Sequence, residues 1–166
     1  MDNAVVLFLL RAIHVVGGVL WVGGLVVVSF FVLPASQAAG PAAAPMMQFM
    51  MSKRKLSVYM MFVAILTTLA GILLMVRNVS LTSGAWARSP MGVGISIGAT
   101  SAIIALIVGM TVNAPAAKRL SAPPGAGEPL APEQRAALMR RMAMGSRIAL
   151  TLLAISALTM ATARYY

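Results

Sequence analysis

Apolar and polar positions alternate along this chain on a coarse scale. Apolar stretches at about residues 4–33, 57–76, 91–112 and 145–163 are separated by stretches richer in Pro, Gly and charge. A helix that crosses a bilayer needs roughly 20 apolar residues. The pattern predicts an all-α protein, an integral membrane four-helix bundle forming a single membrane domain over residues 1–166, with its longer loops at 35–56 and 113–144. The first stretch exceeds one crossing, which predicts tilt or extension past the bilayer. Its end, Leu33-Pro34-Ala35-Ser36-Gln37-Ala38, has the small residues of a signal cleavage site. The start, Met1-Asp2-Asn3, lacks a positive n-region and the apolar run is too long, so a retained span is expected.

Within that first stretch the unusual residues gather on one side. On a helix of 3.6 residues per turn, Arg11, His14, Gly17, Gly18, Trp21, Gly24, Leu25 and Ser29 fall within about 140° of arc. The opposite side is Val15, Val19, Val22, Val26, Val27 and Phe30, with Gly23 the exception. One face suits lipid and the other suits protein or a ligand. The third stretch carries a second stripe, Gly94, Gly98, Ala102, Ala105 and Gly109. Stripes of small residues let helix backbones approach closely, inside a bundle or across a homodimer.

The connections have their own punctuation. Gly40-Pro41 and Pro45 should break helix, and Met46 to Lys55 reads as an interfacial helix entering the second span. Trp86 is placed to anchor an interface. Asn113 and Pro115 are expected to end the third helix, Ala122 to Pro129 reads as a linker, and Pro132-Glu133 as a helix start that runs on into the fourth span.

Composition agrees with the pattern. Of 166 residues 60% are hydrophobic and 10% charged, against roughly 25% charged in soluble domains. There are no cysteines, which removes disulfides and thiolate metal sites. The net charge of +10 sits between the apolar stretches, so it is read as a membrane signal and not as nucleic-acid binding. Lys53, Arg54, Lys55, Lys118, Arg119, Arg135, Arg140, Arg141 and Arg147 fall on one side; Arg77, Arg88 and Arg164 fall on the other. The positive-inside rule then predicts both termini outside a bacterial-type inner membrane, with Lys53, Arg54, Lys55, Arg140 and Arg141 against anionic headgroups.

Few residues offer chemistry. His14 is the only histidine, some 15 Å along its helix, and intramembrane ionisable residues point to function by default. Neutral imidazole ligates haem iron or copper, so His14 is a candidate metal ligand. The alternative is a structural hydrogen bond to a neighbouring helix, with Thr67, Thr68, Thr100 or Ser101 as partners. A second ligand of the same kind is absent, which leaves methionines in or near the spans: Met60, Met61, Met75, Met110 and Met160. The pairs Met46-Met47, Met50-Met51 and Met60-Met61 raise soft copper(I), although the first two lie among Lys and Arg. Arg11 has no intramembrane acid to pair with, and is expected to snorkel, meet a lipid phosphate, or meet an acid on another protein or a haem propionate. No paired acids, nucleophile triad, phosphate loop or metalloprotease motif appears, so no enzyme is expected.

Ile13-His14, then Trp21-Val22-Gly23-Gly24 and Leu33-Pro34, resemble the first helix of small four-helix membrane proteins related to the copper resistance protein D (CopD-like) family. The ending Met160-Ala161-Thr162-Ala163-Arg164-Tyr165 also resembles the close of such chains. More distantly the chain is similar to HemJ-type protoporphyrinogen oxidases, which begin with a His-bearing helix and bind haem. The resemblance implies a four-helix bundle and copper or haem handling.

Two functions remain open at this stage. One is a non-catalytic accessory subunit of a larger membrane assembly, respiratory or photosynthetic, whose partners are lipids and other membrane subunits or a second copy. The other is a haem b- or copper-binding membrane protein whose cofactor face is Arg11, His14 and Trp21.

Overall fold

The computed structural model describes residues 3–122 and 130–165. It is all-α among the described residues, and four of its helices are long and apolar enough to cross a membrane: α1 Ala4–Ala39, α3 Leu56–Leu81, α5 Pro90–Leu120 and α6 Pro132–Tyr165. Two shorter helices connect them, α2 Ala44–Gln48 and α4 Ala85–Arg88. The long helices alternate in direction. The first and last described residues and the short α3–α5 connection lie at one end, termed the upper end. The longer connections lie at the lower end.

Local chemistry sets the helix ends. Asn3 caps α1, its side-chain oxygen accepting from the Val5 amide at 2.9 Å. Ser89 caps α5 by accepting from the Gly92 amide at 3.1 Å, and Pro90 follows in the first turn, where its missing N–H costs nothing. The Gln134 side chain accepts from the Ala131 amide at 3.2 Å where α6 starts at Pro132. Glycine is needed at Gly84, whose φ of +86 closes the turn into α4.

The helices run further than the expected spans. The third does not end at Asn113 and Pro115, and the first does not end at Pro34. In each a π turn precedes the proline, Val28–Val32 in α1 and Gly109–Asn113 in α5. There the Leu33 amide donates to the Val28 carbonyl and the Ala114 amide to the Gly109 carbonyl. Reaching five residues back shifts the ladder by one, and the helix passes the proline without its absent N–H. Much of the expected 35–56 and 113–144 loops is therefore helix. Residues 123–129, most of the expected linker, lie outside the described residues.

The bundle is two consecutive hairpins. α1 packs mainly on α3, and α5 mainly on α6, while contact between the pairs is sparse. Small residues make up much of the interior: Ala64, Ala70, Ala105, Ala149, Ser101, Ser146 and Ser156 are buried, alongside the larger Trp21, Leu25, Leu33, Met47, Val63, Met142 and Leu153. All five phenylalanines, Phe8, Phe30, Phe31, Phe49 and Phe62, are more than half exposed. Bulky apolar groups outside and small ones inside is the arrangement expected when the solvent is lipid and helices associate by close packing. Several hydroxyls on these helices bond to the carbonyl one turn back: Thr68 donates to the Ala64 carbonyl at 2.8 Å, Ser96 to Gly92 at 2.8 Å and Thr111 to Ile107 at 2.8 Å.

Candidate functional site

The site is organised by one contact between α1 and α3. Gly17 on α1 is buried against Thr67 of α3, and any side chain at Gly17 would collide with the Thr67 hydroxyl. Gly71, one turn along α3, leaves the room that the His14 ring fills: a Cβ there would stand 2.7 Å from Cε1 and 2.9 Å from Nδ1. The two glycines let the helices close until His14 Nδ1 lies 2.9 Å from the Thr67 main-chain oxygen. A carbonyl only accepts, so Nδ1 carries the hydrogen and donates. In the neutral ring the lone pair is then on Nε2, which has no hydrogen-bond partner among the described residues. The sequence pointed to Thr67 as a partner, but through its hydroxyl. The main chain serves instead, and the buried Thr67 Oγ1 is left without a partner.

His14 lines a cleft of about 970 Å³ between the two hairpins. α1 contributes Arg11, His14, Gly18 and Trp21; α3 contributes Thr68, Gly71, Met75 and Asn78. Trp86 of α4 and Met91 of α5 stand at its upper end, and Leu153, Ser156 and Met160 of α6 form the far wall. The lining is overwhelmingly apolar with a few polar groups, the composition of a small-molecule site. Val15, Val19, Val22 and Gly23, on the side of α1 expected to meet lipid, also border it, so the cleft is wider than the polar face alone.

Arg11 is exposed, borders the cleft one turn above His14, and forms no ion pair among the described residues. Asp2 and Glu128 lie outside the described residues. Trp21 is buried in the central core with Leu25, Val63, Ala105, Ala149 and Leu153, and forms the floor of the cleft.

The small-residue positions divide. Gly18 lies 3.9 Å from the Thr67 methyl by its virtual Cβ, and Gly24 faces Met60, whose Sδ would lie 2.8 Å away. On α5, Gly94 and Ala105 are buried, Ala102 packs against the central core, and Gly98 sits against Met160, Thr159 and the Ser156 carbonyl. Gly109 differs: a Cβ there would meet nothing within 4 Å. It borders a second, smaller cavity of about 110 Å³ at the lower end, lined also by Met51, Met60, Met61, Met142 and Asn113. The Met46-Met47 and Met50-Met51 pairs do not converge there as pairs, since only Met51 reaches it. Asn113 Oδ1 is buried without a partner beside Gly145. Lys53, Arg54, Lys55, Arg140 and Arg141 are exposed at the lower end, away from the cleft.

Sequence reasoning missed Gly71, Asn78 and Ser156, and named Met160 only as one of five span methionines. Gly71 is a lone glycine in an apolar helix, and only the helix pairing shows what it accommodates. No group of three or more His, Cys, Asp or Glu able to hold a metal ion exists among the described residues. No family model, curated protein or solved structure matches the chain.

Proposed function

We propose that this protein is a non-catalytic, multi-pass protein of a bacterial-type inner membrane that holds a b-type haem in the cleft between its hairpins, with His14 as an iron ligand. The observation that carries this reading is the His14–Thr67 hydrogen bond. It fixes the tautomer and leaves Nε2 unpartnered, the second-sphere arrangement that metal-ligating histidines use. The cleft volume of about 970 Å³ lies at the top of the range for ligand sites, which supports a ligand as large as a tetrapyrrole. Arg11, without an ion-pair partner among the described residues, offers a cation to carboxylates at the ligand's edge, and Trp21 supplies an aromatic floor. A bound haem supplies one-electron redox chemistry. The protein's part is to hold and orient it and to keep the lower side of the cleft sealed by Trp21 and Leu153.

The charge distribution supports both termini outside: the exposed cations concentrate at the lower end, which the positive-inside rule assigns to the cytoplasm. The cleft then opens near the outer surface. The resemblance of the first helix to the copper resistance protein D and HemJ-type families supports the same choice of ligand class.

A second reading, an accessory subunit of a respiratory or photosynthetic assembly, is favoured by the sparse contact between the hairpins, which leaves a seat for a partner's helix. The absorption spectrum and iron and copper content of protein purified gently from its native membrane decide between them. A Soret band with stoichiometric iron, lost in His14→Ala, is expected. A colourless, metal-free chain that co-purifies with larger subunits would overturn the haem reading and support the seat.

A further inference from the structure

We propose that Met160 would join His14 in holding the iron of a haem bound in the cleft, a His/Met pair drawn from different hairpins. This rests on the haem reading above.

His14 and Met160 are related by helix register. Trp21 of α1 and Leu153 of α6 belong to the same buried core cluster and both border the cleft. Seven residues separate His14 from Trp21, and seven separate Leu153 from Met160. α1 and α6 run in opposite directions, so both steps lead towards the upper end. Seven residues are two helical turns, about 10.5 Å of rise with only about 20° of drift around the axis. Two residues of one core cluster, each followed two turns higher by a donor side chain, therefore put His14 and Met160 at similar heights on the two walls of the cleft. All four side chains border the same cleft.

The other thioethers of the cleft do not share that level. Met75 lies four residues above Gly71, the residue that contacts His14, or about 6 Å higher. Met91 lies seven residues above Gly98, the residue that contacts Met160, or about 10 Å higher.

The surroundings of Met160 resemble those of His14. Gly98 of α5 makes room for it: a Cβ there would stand 2.8 Å from Met160 Cγ. The Ser156 hydroxyl, one turn below, donates to the Met160 sulfur at 3.9 Å. A thioether has two lone pairs, and this bond engages one and leaves the other. So each proposed ligand has a glycine opposite that admits it and a hydrogen bond that orients it. A thioether ligand favours the ferrous state, which raises the reduction potential relative to bis-histidine ligation.

The test uses the full chain in detergent or nanodiscs, loaded with haemin, in wild-type, His14→Ala, Met160→Leu, Met160→His and Met75→Leu forms. Leucine keeps volume and polarity close to methionine, so folding is preserved. Haem content, spin state by electron paramagnetic resonance, carbon monoxide binding and reduction potential are read. Wild type is expected to be six-coordinate and low-spin, with a thioether-to-iron(III) charge-transfer band in the near infrared. Met160→Leu is expected to keep haem within about twofold, lose that band, turn high-spin and bind carbon monoxide readily. Met160→His should restore the low-spin state at a lower potential, and Met75→Leu should behave as wild type. The proposal is overturned if Met160→Leu keeps the wild-type spectrum, or if Met75→Leu is the variant that loses it, while His14→Ala still abolishes binding. A wild-type chain that takes up no haemin refutes the underlying haem reading itself.

Discussion

The contact between Gly71 and His14 offers the sharpest perturbation. In Gly71→Ala the new Cβ would lie 2.7 Å from Cε1 and 2.9 Å from Nδ1 of His14. Ordinary contact begins near 3.4 Å, so the ring must retreat by about 0.7 Å. If it withdraws along the line of its hydrogen bond, the 2.9 Å separation from the Thr67 oxygen stretches to about 3.6 Å, which is no longer a hydrogen bond. The loss is about 0.5–1.5 kcal/mol in stability, with a further contribution from crowding of order 1–3 kcal/mol. For a ligand held by Nε2, removing such an orienting partner typically costs about 10–100-fold in affinity. The assay is a haemin titration of purified variant and wild type followed by absorption, alongside thermal unfolding of both. Gly23→Ala is the control, because it lies on the same cleft and its Cβ would meet nothing within 4 Å. An affinity for Gly71→Ala within about twofold of wild type, when His14→Ala binds nothing, would refute the claim that the Thr67 carbonyl orients the ligand nitrogen.

Other outcomes follow from the same packing. Gly98→Ala should destabilise by about 1–3 kcal/mol, since its Cβ would stand 3.1 Å from the Ser156 main-chain oxygen, which cannot step aside. Gly24→Ala should cost less than about 1 kcal/mol, because the atoms it meets are the flexible end of Met60; thermal midpoints in one detergent compare the two. Thr67→Val removes a buried hydroxyl that has no partner and keeps the carbonyl, so stability should stay equal or rise by up to about 1 kcal/mol with haemin affinity unchanged. The chain has no cysteine, so single substitutions report topology cleanly. Ser83→Cys should react with an impermeant maleimide added to intact cells, and Ser52→Cys should react only after the membrane is opened.

Much of the architecture was legible because lipid and helix geometry act on the sequence directly. A run of twenty apolar residues fixes a helix, and the clustering of Arg11, His14, Gly17 and Trp21 on one arc fixes which side turns inward. Helix ends were less legible. Pro34 and Pro115 are ordinarily stop signals, and the π turns that carry α1 and α5 past them leave no mark in residue type. Half of the site was legible, the half on α1, because its polar residues stand out against valine. The other half was legible only in part: Thr67, Thr68 and Met160 stood among several candidates, while Gly71 and Ser156 are unremarkable in an apolar helix until a partner helix gives them something to face. The stripe on α5 shows the same limit. Gly98 packs tightly while Gly109, in register with it, borders empty space, and only the neighbouring helix distinguishes them.

The division into two consecutive hairpins also orders events during synthesis. The α1–α3 pair is complete once residue 81 has left the ribosome, and the α5–α6 pair needs only the later residues. Each hairpin closes on contacts near in sequence, which form fast and early. The cleft has no such local origin, because one wall is translated first and the other last. A ligand bound to both walls would load only once α6 had been made, and would add to the sparse contact between the hairpins. Under the proposed function, filling the cleft would then be the last step of assembly.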